Sequence, residues 1–357
     1  MPVYVRTEKF GALVTSLISS QQSSVEARDR SVRKRIITLT VALGAALGAL
    51  LGLTAEAEPY PTRTIKIIVP SLPGGAYDRI ARIAARELTG SLGQQVVVEN
   101  RTGAGTVVGT DAAAKAPADG YTLLLGGLSN IAVNVGLYRH LPYDPATDFV
   151  AIGIISTVPY ALMGRKDLPQ SSLRELIDYA KANPGILTYA SSGVGSGPHI
   201  AAAALLQGAG VNMVHVAYRG ASPAYADLLA GRVDLFFDSA GTAAPYIESK
   251  RLKGLAISGA ARLPALSQLP TVRETGVADA VVEGWYGLFG PSKMPKGIVD
   301  KLRAEVAKMV RTPAAVELLE RNGDHVVRMT PSQTEAYVSS EIAKWSKLVR
   351  DAGIKAD

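Results

Sequence analysis

Two stretches of this sequence place glycine, hydroxyl and charged residues at a spacing suited to holding an anion. The first is IKIIVPSLPGGAYDRIAR, residues 65–82, and the second is LTYASSGVGSGPHIAAAALLQ, residues 187–207. In each, a short apolar run is broken by glycine and proline and followed by apolar residues at helical spacing. Both therefore read as strand, glycine loop, helix. A helix start leaves backbone N–H groups without acceptors and carries the positive end of the helix dipole, and glycine lets an anion come close. Gly74 and Gly75 in the first loop, and Gly195 and Ser196 in the second, are the candidate donors. Asp78 is expected to cap or brace its loop rather than face the ligand, because a bare carboxylate beside an anion is unfavourable. A tight turn that binds nothing fits each loop taken alone.

Other polar groups sit at the ends of apolar runs. Ser129 and Asn130 follow the run 121–125, and Asp238 and Ser239 follow 233–237. Strand ends of open α/β sheets are where ligands are held, so Ser129, Asn130 and Asp238 join the candidates.

The machinery to transform a ligand is harder to find. Ser191, Ser192 and Ser196 lie near His199, which raises a serine hydrolase using Ser192 or Ser196 with His199. None of the three stands in a GxSxG elbow. His140, His199, His215 and His325 are scattered without metal-ligand spacing, and no HExxH or GxxxxGK motif occurs. Gly103, Gly105 and Gly109 are spaced GxGxxxG, which is not the dinucleotide fingerprint. The expectation is a binding protein, not an enzyme, with no metal and no cofactor.

Composition agrees. The 357 residues are 47% hydrophobic and 19% charged, a globular balance large enough for two domains. Net charge is +7, but residues 1–57 hold seven Lys/Arg and four Asp/Glu, and without them the excess falls to +4. That mild, unclustered charge gives nucleic-acid binding little support. There are no cysteines, so disulfides and thiol chemistry are excluded. Arg33, Lys34 and Arg35 precede an apolar stretch, 36–53, and Ala55-Glu56-Ala57 offers small residues for a signal peptidase. Residues 1–57 are read as a secretory signal with an extension, with cleavage before Glu58 and translation starting near Val32; a retained membrane anchor is the alternative.

The elements that must position the candidate groups can be read in order. A strand is expected at 95–99, a small-residue helix at 107–115, a strand at 121–125, and a buried extended run at 150–158 and 160–163 that crosses between domains. A capping box, Ser172 to Glu175, opens a helix ending at 183–185. Strands follow at 187–190, 214–218, 233–237 and 252–258, with Ser222 as N-cap and Pro223 at the first position of an intervening helix. Residues 281–289 make the return crossing, and helices follow at 298–310, at 313–322, and from a cap at Thr330 through 349. One glycine loop per domain, facing across a cleft, is the implied arrangement.

Nine stretches in order carry a family resemblance: PxxPGGxxD at 70–78, VVVENRTGAG at 96–105, ADGYTLLLG at 118–126, LPYDPATDF at 141–149, YASSGVGSGPH at 189–199, HVAYRG at 215–220, DLLAGRVDLFFDS at 227–239, LPTVRETG at 269–276 and GWYGLFGP at 284–291. From about residue 60 to the C-terminus the chain resembles the periplasmic receptors of tripartite tricarboxylate transporters, the Bug receptors. The resemblance implies an α/β, two-lobed periplasmic-binding-protein type II fold with two crossing strands as hinge. Lobe 1 would be 58–158 and 284–357, and lobe 2 would be 159–283. It implies a periplasmic monomer that binds a small organic carboxylate through backbone N–H groups, hydroxyls and waters and delivers it to membrane permease subunits. A sensor that presents ligand to a signalling partner is the other role such a chain could fill. Carried over by position, Ser71, Gly74, Gly75, Tyr77 and Asp78 form the first loop. Ser191, Ser192, Gly195, Ser196 and His199 form the second, with Ser129, Asn130, Tyr218, Arg219 and Asp238 in the cleft. The chain departs from the family pattern at Ser71, usually aromatic, at Pro73 and Tyr77, usually small, and at Thr102, Thr106 and Ala217.

Overall fold

The computed structural model describes residues 60–277 and 280–356, which lie in the compact unit that begins at Tyr60. The expectations for residues 1–57 lie outside the described residues. The chain opens with β1 (Ile65–Val69), α1 (Ala76–Leu92), β2 (Val96–Asn100), α2 (Val107–Ala114) and β3 (Thr122–Gly127). A π-helical turn, Leu128–Val133, runs into α3 (Asn134–Leu137) and then β4 (Phe149–Gly164). Next come α4 (Leu173–Ala182), β5 (Thr188–Ser191), α5 (Gly197–Ala209), β6 (Val214–Ala217), α6 (Ala221–Leu229), β7 (Leu235–Ser239), α7 (Ala240–Glu248) and β8 (Lys253–Ile257). The chain closes with β9 (Glu283–Pro291), α8 (Lys296–Met309), α9 (Pro313–Arg321), β10 (His325–Val326) and α10 (Pro331–Asp351).

Ten strands are linked in the order β2-β1-β3-β9-β4-β7-β5-β6, with β8 and β10 also pairing β4. β1 lies parallel between β2 and β3, buried on both faces, as the apolar run IKIIV requires. β4 divides its pairing along its length. Phe149 to Pro159 run antiparallel to β9, whereas Tyr160 to Gly164 pair with β7 and β8. β4 thus crosses from one half of the sheet to the other, and β9 returns the chain beside it. Ser258 ties the crossing together: its Oγ accepts from Tyr160 N (2.9 Å) and donates to Val282 O, and its N–H donates to Tyr160 O (2.8 Å).

Packing follows the same plan. One apolar cluster runs through both halves on one face, from Leu124 and Trp345 to Ile200 and Phe237, with Tyr160 and Trp285 between them. The opposite face carries two separate clusters, one under α1, α8 and α9, the other under α6 and α7. α1 shows why the helices dock as they do. Ile80, Ala81, Ala84 and Leu88 form its buried stripe, and Gly93, at φ 70°, ends it in the left-handed conformation.

Local expectations needed correcting in four places. Glu175 accepts from Ser171 N, not from Ser172 N, so the α4 cap is not reciprocal. Gly220, not Ser222, is the N-cap of α6, and Pro223 is its third residue; a first-turn proline lacks only an N–H that has no acceptor there anyway. α7 was not expected because Pro245 reads as a breaker, and the π turn after β3 was read as a plain loop.

Candidate functional site

The first loop is built from α1 outward. Gly75 is the N-cap and offers no side chain, so Asp78 in the first turn reaches back instead. Its Oδ2 accepts from Gly74 N (3.1 Å) and Arg82 Nε (2.9 Å), and its Oδ1 from Asn100 Nδ2 (3.1 Å), which also holds Ser71 O (3.0 Å). Burial pushes this carboxyl up, but the bonds from Arg82, Gly74 and Asn100 outweigh it and hold it below the ordinary aspartate range. Asp78 braces the loop, and the amides of Gly75, Ala76 and Tyr77 take no acceptor from the described residues. A Cβ on Gly74 or Gly75 would meet nothing within 4 Å, so the space into which a side chain would project from these two glycines is open.

Behind them the floor is aromatic. Tyr77, 9% exposed, donates to Asn130 Oδ1 (2.9 Å) and meets Tyr286 edge-to-face at 4.7 Å. Asn130 Oδ1 also accepts from Gly127 N (2.8 Å), and its Nδ2 donates to Thr110 Oγ1 (3.0 Å). Asn130 is fully buried with its side chain engaged, so it supports the floor; Ser129 beside it is also buried. Tyr160, on β4, places its hydroxyl where a Cβ on Gly197 or on Gly284 would collide with it. Only glycine fits there, and the phenol sits between the start of α5 and β9.

The second loop repeats the design with different braces. Ser196 caps α5, its Oγ accepting from His199 N (3.4 Å), and Ser196 N donates to Gly193 O (3.1 Å). Gly195 N donates to His199 Nδ1 (3.1 Å), and Gly193 N to Ser191 Oγ (3.2 Å). Ser191 Oγ also contacts His215 Nε2 at 2.7 Å. The amides of Gly193, Gly195 and Ser196 are thereby used, whereas those of Ser192, Val194 and Gly197 take no acceptor from the described residues.

The second loop lies against α3 and the segment after β2, and the first loop lies against the segment before α6. A Cβ on Gly195 would overlap Leu137 Cδ2, one on Gly105 would lie 3.5 Å from Val194 O, and one on Gly220 3.4 Å from Leu72 Cδ1. Asp238, at the end of β7, is 8% exposed; burial, offset in part by Ser239, Tyr225 and Arg79, pushes its carboxyl up to about 6. Its Oδ2 and the Tyr225 hydroxyl, both buried, make no hydrogen bond of acceptable geometry. Tyr218 donates its hydroxyl to Asp227 Oδ2 (2.7 Å), and Arg219 is exposed; among the described residues neither side chain makes a hydrogen bond to the loops.

Sequence reasoning did not assign roles to Tyr160, Tyr225 or Tyr286, nor to Arg79, which forms a bidentate pair with the buried Asp324. The glycines opposite the Tyr160 hydroxyl, Gly197 and Gly284, were the available signal. The hydrolase expectation finds no triad among the described residues: Ser196 Oγ is a helix cap, and His199 Nδ1 is occupied by a backbone amide. No cluster of three His, Cys, Asp or Glu side chains suited to a metal occurs among them either. A cavity of about 290 Å³ lies elsewhere, between β4, α8 and the start of α10.

Residues 80–354 match the family described as tripartite tricarboxylate transporter family receptor. The chain is 38% identical over 303 residues to Protein BugT of Bordetella pertussis, covering 84% of this chain and 92% of that protein. It is similar in structure to R. palustris Rpa4515 with adipate, at 36% identity and TM-score 0.78 over 83% of this chain and 99% of that one. It is likewise similar to MatC (Rpa3494) from Rhodopseudomonas palustris with bound malate, at 31% identity and TM-score 0.76 over 81% and 100%.

Proposed function

Because the chain belongs to the tripartite tricarboxylate transporter receptor family, whose members are solute receptors of the periplasmic-binding-protein type II fold, we propose that it binds a small organic carboxylate between two lobes and delivers it to a membrane permease. The lobes are residues 58–158 with 284–357, and 159–283, and the protein works as a periplasmic monomer. The observation that carries this reading is the pair of braced glycine loops. Each has some amides locked by side chains, Asp78 in one and Ser191 with His199 in the other, and leaves nearby amides without an acceptor among the described residues, at the start of α1 in the first and both before and at the start of α5 in the second. Gly75, Ala76 and Tyr77 on one side, and Ser192, Val194 and Gly197 on the other, are the proposed carboxylate donors. Relatives solved with adipate and with malate support this ligand class. Among the described residues no helix is long and apolar enough to cross a membrane.

Calorimetry and thermal shift with a panel of mono-, di- and tricarboxylates, aromatic ones included, test the reading. At least one should stabilise the protein, and a panel without a hit would sink carboxylate binding. Gly75 has φ −85°, which any residue adopts, and open space ahead of it. Gly75→Leu should therefore fold normally yet weaken the best ligand by about tenfold or more, roughly 1.4 kcal/mol. Lys301→Ala on α8, whose Nζ donates to Tyr60 O (2.5 Å), should leave affinity nearly unchanged. Equal effects would make the first loop an ordinary turn.

A further inference from the structure

The second glycine loop rests on two stacked imidazoles, and we propose that His199 and His215 are positioning residues for ligand binding, each fixing one glycine of the loop and both acting in the neutral form. The rings lie face to face, 4.0 Å between centroids and 8° between planes, with Tyr189 stacked on His215 at 4.8 Å and 15°. An amide N–H always donates, so the 3.1 Å contact from Gly195 N requires a bare Nδ1 on His199 and places that ring's proton on Nε2. Ser191 has one proton. Oγ accepts from Gly193 N (3.2 Å) and contacts the Gly193 carbonyl (3.1 Å) and His215 Nε2 (2.7 Å); with the proton given to the carbonyl, the 2.7 Å contact is a donation from His215 Nε2–H, the tautomer proposed for that ring. The chain of contacts is His215 to Ser191 to Gly193, and His199 to Gly195.

Both glycines sit at positive φ, Gly193 at 130° and Gly195 at 74°, and the side chains of Ser191 and His199 bond their amides there, alongside the backbone bond from Ser196 N to Gly193 O (3.1 Å). With Gly193, Gly195 and Ser196 amides turned to the braces, Ser192, Val194 and Gly197 are the amides left for a ligand. Protonating His199 at Nδ1 sets one donor against another, and charging both rings sets two cations 4.0 Å apart in a buried place. Among the described residues, β5 supplies Tyr189 and β6 supplies His215 itself as titratable groups stacked on the pair, and Tyr160 of β4 reaches Gly197 at the start of α5. With no charged partner among its electrostatic neighbours, His199 is held by burial, then by His215, down at about 3, and burial lowers His215 as well.

This inference rests on the receptor reading, so the test separates the two. His199→Asn keeps an acceptor, Oδ1, near the place of Nδ1; His199→Phe keeps the ring and the stacking but removes the acceptor. With adipate and malate as probes, the Asn variant should bind within about threefold of wild type and the Phe variant about tenfold or more weakly. Equal losses, or none in either, would overturn the proposal. Nitrogen-15 spectra of labelled imidazoles in the wild-type chain near pH 7 should show His199 as the Nε2–H tautomer with a hydrogen-bonded bare Nδ1. A cationic ring or the opposite tautomer would overturn it even if the Phe variant failed to fold. Wild-type protein that bound neither probe nor any of the carboxylate panel would defeat the receptor reading, whereas the tautomer spectrum reads the brace without ligand.

Discussion

At the scale of single residues, the candidate site separates braces from donors, and the pH behaviour of one brace follows from its burial. His199 has a folded pKa of about 3 against an ordinary value near 6.5. Its neutral form is favoured in the fold, so its contribution to stability is fully present above pH 6.5 and is lost as pH falls toward 3. The loss is on the order of a few kcal/mol. Asp238 works against it in part: a carboxyl raised to about 6 contributes stability below the usual aspartate range that is lost as pH rises through 6. Denaturant unfolding between pH 7 and 4 should therefore be compared with His199→Asn, in which the slope due to His199 disappears. An unchanged slope would mean that the imidazole is not buried neutral. What the sequence disclosed at this scale was residue type and local spacing. Asp78 was expected as a brace because a bare carboxylate beside an anion is unfavourable, and its bond from Gly74 N four residues back is within local reach. Asn130 was named for its place after an apolar run and His199 for its place in the second loop; the groups that engage them, Tyr77 and the stacked His215, are brought in by tertiary packing that the sequence does not display.

At the scale of elements, strand and helix identity was legible where apolar period and glycine agreed, as in β1, α1, β5 and α5. It failed at α7, where Pro245 sits in a helix secured by packing, and at the π turn after β3, which hydropathy does not distinguish from a loop. The crossing of β4 was legible as a long apolar run, but its clamp was not. Ser258 lies 98 residues from Tyr160 and 24 from Val282, yet its hydroxyl joins both. Ser258 is fully buried, so Ser258→Ala would strand the Tyr160 N–H and leave Val282 O one partner short. Stranding a buried donor costs roughly 1–3 kcal/mol, and the variant should show a lower denaturation midpoint by that margin. A midpoint equal to wild type would show that the hydroxyl does not secure the crossing. The carboxylate binding of a folded Ser258→Ala protein should change less than that of Gly75→Leu, because the clamp is not among the proposed donors.

At the scale of the whole molecule, the two proposed lobes approach each other where Gly195 lies against Leu137 and Gly220 against Leu72. If ligand binding draws the lobes together, scattering should show compaction when the best carboxylate is added, and an unchanged profile would contradict closure. The fit at Gly195 gives this a sharper form. A Cβ there would overlap Leu137 Cδ2, too close to be accommodated unless the leucine moves. Gly195 also has φ 74°, so alanine adds backbone strain of about 1 kcal/mol that is independent of closure. Gly195→Ala should therefore fold with a modest loss of stability, bind the carboxylate about tenfold more weakly, and fail to compact. Leu137→Ala alone should bind nearly as wild type. Combined with Gly195→Ala it should restore most of the affinity and the compaction, because the collision is gone and only the strain remains. A double-mutant cycle then isolates the contact between the lobes from the strain within one of them. If the two losses simply added, Gly195 would be needed for its own backbone conformation and not for the approach of the lobes.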